Sequence, residues 1–363
     1  MKKQYQEPIQ AYLDQLVADG TERGVQLAVY LNGELVVDAA AGVTDPVSGT
    51  KVTSETLFPV FSTTKGIAAT LAHLMVERGK ISYDEPIAKV WPEFAANGKG
   101  NITLRHTLSH RAGLQNLPVG IAHAELNDWD TMCRKMAAET PTSAPGAVFS
   151  YHGITYSWLV GEPACRAAGR TFQQLMHDEI CAPLGLENEM FVGIPDEVES
   201  RVAFLEAKEE TSEPLPHAAT DLAVPPLVLP LHRWMNRPDV RRACMPASTG
   251  IMSARAVAKH YAALLPGGVD GVEILPPERI RIACEQQPRP GNFKPDDPLP
   301  DHQLGYTVGN MFSPRSFGHG GFGGTWGWAD PDHNIAFCFT RNCYVEESTL
   351  GKACEMTKKV MGT

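Results

Sequence analysis

The sequence predicts an α/β fold of the α+β kind: an antiparallel sheet flanked by helices, with a mainly helical domain inserted between its strands. Three observations predict it. Strand-like segments lie near both ends of the chain, the middle is helical with proline-rich connections, and a long apolar helix without proline starts at Ser62. The expected division is an α/β domain built from residues 1–85 and 241–363, with 86–240 as the helical insertion. A chain of 363 residues with 43% hydrophobic side chains is long enough to bury a large core in either arrangement.

In chain order, Ile9, Leu13, Leu16 and Val17 recur at helical spacing and predict a helix over 7–19. Val25 to Tyr30 and Glu34 to Val37 flank Asn32-Gly33, which supplies the positive φ angles of a two-residue hairpin turn. From Ser62 to about Gly79, the apolar residues Ile67, Leu71, Leu74 and Met75 predict a helix buried in the core. Residues 84–240 hold helical patches separated by loops such as Pro141–Gly146 and Ala223–Pro230. Strand character returns at Leu304–Val308, in the glycine-rich 318–327 stretch, and at Ile335–Thr340 after an Asp330–Asn334 turn. A helix over about 347–361 ends the chain, and no internal repeat interrupts this order.

The bulk properties remove several function classes. A net charge of -10 opposes nucleic acid or an anionic membrane surface as partner. Met1–Pro8 is followed by a polar segment instead of an apolar signal region, and no stretch of 18 apolar residues occurs, so a cytoplasmic location is expected. The eight cysteines form no CxxC pair and are expected to be reduced and buried. His106 and His110 have i, i+4 spacing, which would put both on one helical face. The glutamate of a HExxH zinc hydrolase is missing, so structural histidines, no metal and no cofactor are expected.

Three segments carry chemistry. Ser62-Thr63-Thr64-Lys65 opens the buried helix, so hydroxyl and amine share one face and the helix N-terminus favours an oxyanion. Lys65 can serve as base only if burial lowers its pKa. Ser48-Gly49-Thr50-Lys51 repeats the SxxK spacing, but in a polar turn where the lysine stays solvated. Phe149-Ser150-Tyr151-His152-Gly153 follows a proline- and glycine-rich loop and can present a phenol as acid or base; Tyr156, inside the next helix, suits packing better. Gly318-His319-Gly320-Gly321-Phe322 permits close backbone approach by a ligand. No G-x-S-x-G nucleophile elbow is present.

In this order the three segments resemble the serine β-lactamase and penicillin-binding-protein superfamily, most closely the family VIII carboxylesterases and class C β-lactamase-like proteins. Asp84–Ile87, Trp91-Pro92, Leu104–Leu114 and Trp158–Glu162 extend the resemblance over nearly the whole chain. It implies Ser62 as acylated nucleophile, Lys65 as acceptor or relay of its proton, and Tyr151 as base for acylation and proton donor to the leaving group. It also implies an oxyanion hole from the Ser62 and Phe322 N–H groups, with Gly153, His152, His319, Gly320 and Gly321 at the substrate. Gly153 and His319-Gly320-Gly321 depart from the Tyr-x-Asn and Lys-Thr-Gly of β-lactamases, so a small uncharged ester is the expected substrate. Acyl transfer, β-lactam hydrolysis and D-amino-acid peptidase activity are the alternatives. The acyl pocket is expected from loops near 115–125 and 215–250, with Trp234, Phe322 and Trp326 as candidate walls.

Overall fold

The computed structural model describes residues 2–207, 224–309, 311–344 and 348–363. Its centre is a six-stranded antiparallel sheet made of β1 (Gly24–Leu31), β2 (Glu34–Gly42), β3 (Thr307–Val308), β4 (Phe317–Gly321), β5 (Thr325–Asp330) and β6 (Ile335–Arg341). The spatial order is β2-β1-β6-β5-β4-β3, so the N-terminal hairpin pairs with the C-terminal meander through β1 and β6. The 304–308 strand is shorter than expected, because Gly305 takes a φ of 84° and paired structure begins only at Thr307.

Both faces of the sheet are covered, which is why β1 and β6 read as nearly continuous apolar runs. Val25, Leu27, Val29, Phe337 and Phe339 meet Ile9 and Leu13 of α1 (Lys3–Ala18) and Leu350 and Ala353 of the last helix, Ser348–Met361. Ala28, Tyr30, Ala336 and Cys338 face the opposite way, toward Val257 and Tyr261 of the helix Ala254–Ala262. The first helix starts at Lys3, ahead of Pro8, although the sequence suggested residue 7. The carbonyl that Pro8 cannot satisfy belongs to exposed Gln4, where water can serve it.

The second core surrounds α2 (Thr64–Glu77), whose side chains are buried from Thr64 through Met75. An all-round apolar helix belongs inside a protein. Its polar members are satisfied there: Thr70 Oγ1 meets Tyr306 Oη at 2.7 Å, and His73 meets Tyr83 Oη at 2.7 Å and the Leu304 carbonyl at 2.9 Å. This core runs without a break from Trp91 and Phe94 through Trp158 and Met245 to Ala336, so both regions distinguished in the sequence share it. All eight cysteines are free thiols, six of them buried. Among the described residues, no helix is long and apolar enough to cross a membrane.

Candidate active site

Ser62 stands at the mouth of α2, placed there by an abrupt change of chain direction. Phe58–Pro59 pairs with Gly250–Met252, and Val60 N–H donates to the Gly250 carbonyl at 2.8 Å. Phe61 then adopts a φ of 46°, a conformation costing of order 1–3 kcal/mol for a non-glycine residue. Its ring is held against Phe322 and Tyr344, with centroids 5.7 and 6.2 Å away. A 3-10 turn over Phe61–Thr63 follows, which leaves Ser62 partly exposed while Phe61, Thr63, Thr64 and Lys65 are buried. Nothing in the sequence signals the strain at Phe61.

Lys65 is fully buried, and its ammonium nitrogen has three partners: Gly153 O at 2.7 Å, Ala247 O at 2.9 Å and Ser62 Oγ at 3.2 Å. Burial with no carboxylate among these partners holds its pKa well below the ordinary 10.5. A neutral amine has two N–H donors and one lone pair. With the two carbonyls taking two donors, the neutral form of the amine would turn its lone pair to the Ser62 hydroxyl. Gly153 therefore contributes its carbonyl to the lysine, and Ala247 is a partner that no sequence signal announced.

Tyr151 is brought to the same place by a loop that zips onto the chain after the short helix Leu104–Leu108. Gly146 N–H donates to Arg111 O at 2.9 Å, Ser150 N–H to His110 O at 3.0 Å, and His152 N–H to His110 Nδ1 at 3.1 Å. The Tyr151 phenol lies beside the Ser62 hydroxyl, and the Lys65 nitrogen is 4.9 Å from its ring centroid. Burial raises the phenol pKa, and the Ser62 hydroxyl offsets only part of this. Tyr156 is buried in the helix Tyr156–Ala168, its ring centroid 5.7 Å from the Lys65 nitrogen.

His152 corrects an expectation. It is fully buried, its Nδ1 donates to Ser150 O at 2.6 Å and its Nε2 accepts the Leu114 N–H at 3.2 Å. With both nitrogens occupied by backbone, it shapes the Tyr151 loop instead of touching a ligand. Nor do His106 and His110 share a helical face: the helix ends at Leu108 and His110 has a φ of 58°. His106 instead accepts the Thr103 N–H at the helix start.

The strand β4 passes the mouth of α2 at backbone distance. A Cβ on Gly321 would lie 2.1 Å from the Val60 carbonyl, and Thr63 Oγ1 donates to Thr325 O at 3.2 Å. Those contacts put the Phe322 and Ser62 amides on neighbouring segments. Among the described residues, neither N–H has a protein acceptor. Gly320 packs on Trp326, where a Cβ would come within 2.8 Å of the indole. His319 is buried and donates from Nδ1 to Gly320 O at 2.7 Å, and burial holds its pKa well below the ordinary imidazole value.

The proposed apolar walls separate on inspection. Phe322 packs beside Ser62 on Phe61 and Tyr344, and Trp234 is buried in the core around α2. Trp326 belongs to the core on the other face of the sheet, stacked on Trp328 at 5.5 Å, so it lines no acyl pocket. Residues 215–223 of the expected pocket loops lie outside the described residues.

Comparison with known proteins bears on the family and the fold. The esterase/beta-lactamase LipL of Mycobacterium tuberculosis (strain ATCC 25618 / H37Rv) is 32% identical over 343 residues, 88% of this chain and 77% of its own length. The crystal structure of a family VIII carboxylesterase superposes with a TM-score of 0.86 at 27% identity, covering 99% of this chain and 98% of that one. A penicillin-binding protein homolog from Caulobacter crescentus does so with a TM-score of 0.84 at 30% identity, over 99% and 98% of the two chains. The beta-lactamase family model matches residues 9–349, from α1 to the start of the last helix, and the chain belongs to that family.

Proposed function

We propose that this chain is a serine hydrolase that cleaves small carboxylic esters through an acyl-enzyme on Ser62. The observation that carries the reading is the setting of Lys65, a buried amine whose two donors are taken by Gly153 and Ala247 and whose remaining site faces Ser62 Oγ. Lys65 takes the Ser62 proton as Oγ attacks the ester carbonyl. The Ser62 and Phe322 N–H groups receive the oxyanion. As the C–O bond to the alcohol breaks, Tyr151 gives its proton to the leaving oxygen and regains one from the Lys65 ammonium. Water then attacks the acyl carbon with the same groups reversed, releasing the acid and restoring Ser62. Assigning Lys65 as base and Tyr151 as acid departs from the base role expected for Tyr151, because burial favours the neutral form of each.

The names of two similar proteins, an esterase/beta-lactamase and a family VIII carboxylesterase, support the ester substrate. His319 supports it too, since a neutral imidazole offers no fixed positive charge for a β-lactam carboxylate. A cytoplasmic location belongs to the same proposal, in keeping with eight free thiols. The reaction as drawn uses this chain's side chains and backbone N–H groups with water.

The test is a comparison of p-nitrophenyl acetate, butyrate and octanoate with nitrocefin. Ester kcat/KM values well above that for nitrocefin, greatest for the shorter chains, are expected; equal or faster nitrocefin turnover would move the protein to the β-lactamase reading. Gly321→Ala tests the oxyanion site, because its Cβ must push Val60 or β4 aside. The expected result is a fall in kcat of about 10²-fold, the cost of one oxyanion donor, with KM changed much less.

A further inference from the structure

Three imidazoles converge around the Tyr151 ring from separate parts of the chain. One ring nitrogen from each of His110, His302 and His319 lies within 4.8 Å of the others. Their ring centroids stand 4.6, 5.4 and 6.4 Å from that of Tyr151. His110 follows the Leu104–Leu108 helix, His302 precedes β3, and His319 lies on β4.

The hydrogen bonds on their outer sides orient two of these rings as ligands. His302 Nδ1 donates to Asp301 Oδ1 at 2.8 Å, and His319 Nδ1 donates to Gly320 O at 2.7 Å. Each Nδ1 is thus a donor, which leaves Nε2 as the atom free to take a ligand, and His319 Nε2 is buried without a partner among the described residues. An imidazole whose outer N–H is held by a carboxylate or carbonyl is the usual metal ligand. His110 is prepared differently. Its Nδ1 accepts the His152 N–H at 3.1 Å, so the neutral ring carries its proton on Nε2 and serves as a donor to a metal-bound water.

We propose that His302 and His319 bind a late first-row divalent cation such as Zn²⁺, with His110 supporting its water, and that the bound ion inhibits the enzyme. Imidazole nitrogens suit this class of ion, and Zn–N bonds of about 2.0–2.1 Å put two ligand nitrogens about 3.4 Å apart. The candidate nitrogens already lie within 4.8 Å of one another, and His302, 23% exposed, offers the freedom to close further and the entry path. A dication here crowds the Tyr151 phenol that must give its proton to the leaving oxygen, which stops turnover without any role for metal in the reaction. The inhibitory part rests on the catalytic place given to Tyr151; the binding part does not.

Calorimetric titration of the full chain with Zn²⁺, beside zinc inhibition of p-nitrophenyl butyrate hydrolysis, tests both parts. One Zn²⁺ per chain is expected in the wild type, bound at least about tenfold more weakly by His302→Gln, with the inhibition midpoint moving by a similar factor. Asp301→Asn, at an exposed carboxylate, serves as a second variant and is expected to weaken zinc binding in the same direction. Equal zinc affinity in all three proteins overturns the site. Zinc binding that leaves hydrolysis untouched overturns its inhibitory part. Full activity in Tyr151→Phe would instead sink the proposed reaction, while calorimetry would still decide the metal site.

Discussion

Ser62→Ala is expected to lower kcat/KM for p-nitrophenyl butyrate by about 10⁴-fold or more, the scale seen when a nucleophile is removed from a catalytic group that acts as a unit. Ser62 Oγ is the atom on which Lys65 and Tyr151 both converge. Its removal takes away no core packing, because Ser62 is partly exposed at the mouth of α2. Thermal unfolding should therefore change little, and labelling by a fluorophosphonate should disappear. Steady-state kinetics with the labelling assay checks this, and a variant that keeps wild-type turnover would remove Ser62 from the nucleophile's place.

Lys65→Met is expected to cost about 10³-fold or more in kcat/KM, the upper part of what a positioned general base contributes. The stability change should be small, since two effects oppose each other. The Gly153 and Ala247 carbonyls each lose a donor, at about 1–3 kcal/mol apiece, but a costly buried amine is replaced by an apolar chain of similar length. The pH dependence has a definite sign. Lys65 is protonated below its depressed folded pKa and neutral above it, so activity rises with pH through a value well below 10.5. Between that value and 10.5 the unfolded chain holds a proton that the folded chain has released, so stability also rises with pH across this window. Lys65→Met should flatten both slopes. Measuring kcat/KM and denaturant midpoints from acid to mildly alkaline pH separates these effects.

Local pattern was enough wherever the physics is local. The Asn32-Gly33 turn, the buried helix after Ser62 and the Ile335–Thr340 strand follow from turn chemistry and period, which act over a few residues. The Ser62–Lys65 pair was legible for the same reason, because an i, i+3 spacing puts both groups on one helical face before any tertiary contact forms. Tyr151 was legible only as a phenol in a loop. Its approach to Ser62 depends on hydrogen bonds to His110 and Arg111, roughly 40 residues away, whose pairing no period encodes.

What the sequence alone determined is the chemical inventory and the local geometry: a serine and lysine one turn apart, a tyrosine in a loop, and a glycine-rich strand near the end. Tertiary structure alone decided which of these become chemistry. Ser48 and Lys51 have the same spacing as Ser62 and Lys65, but both are exposed, whereas the core around α2 takes Lys65 out of water and surrounds it with backbone carbonyls. Folding likewise turned His152 inward, set Trp326 on the far face of the sheet and gathered His110, His302 and His319 around one phenol. Desolvation and long-range contact govern a side chain's protonation and partners, and both arise only when distant segments pack together.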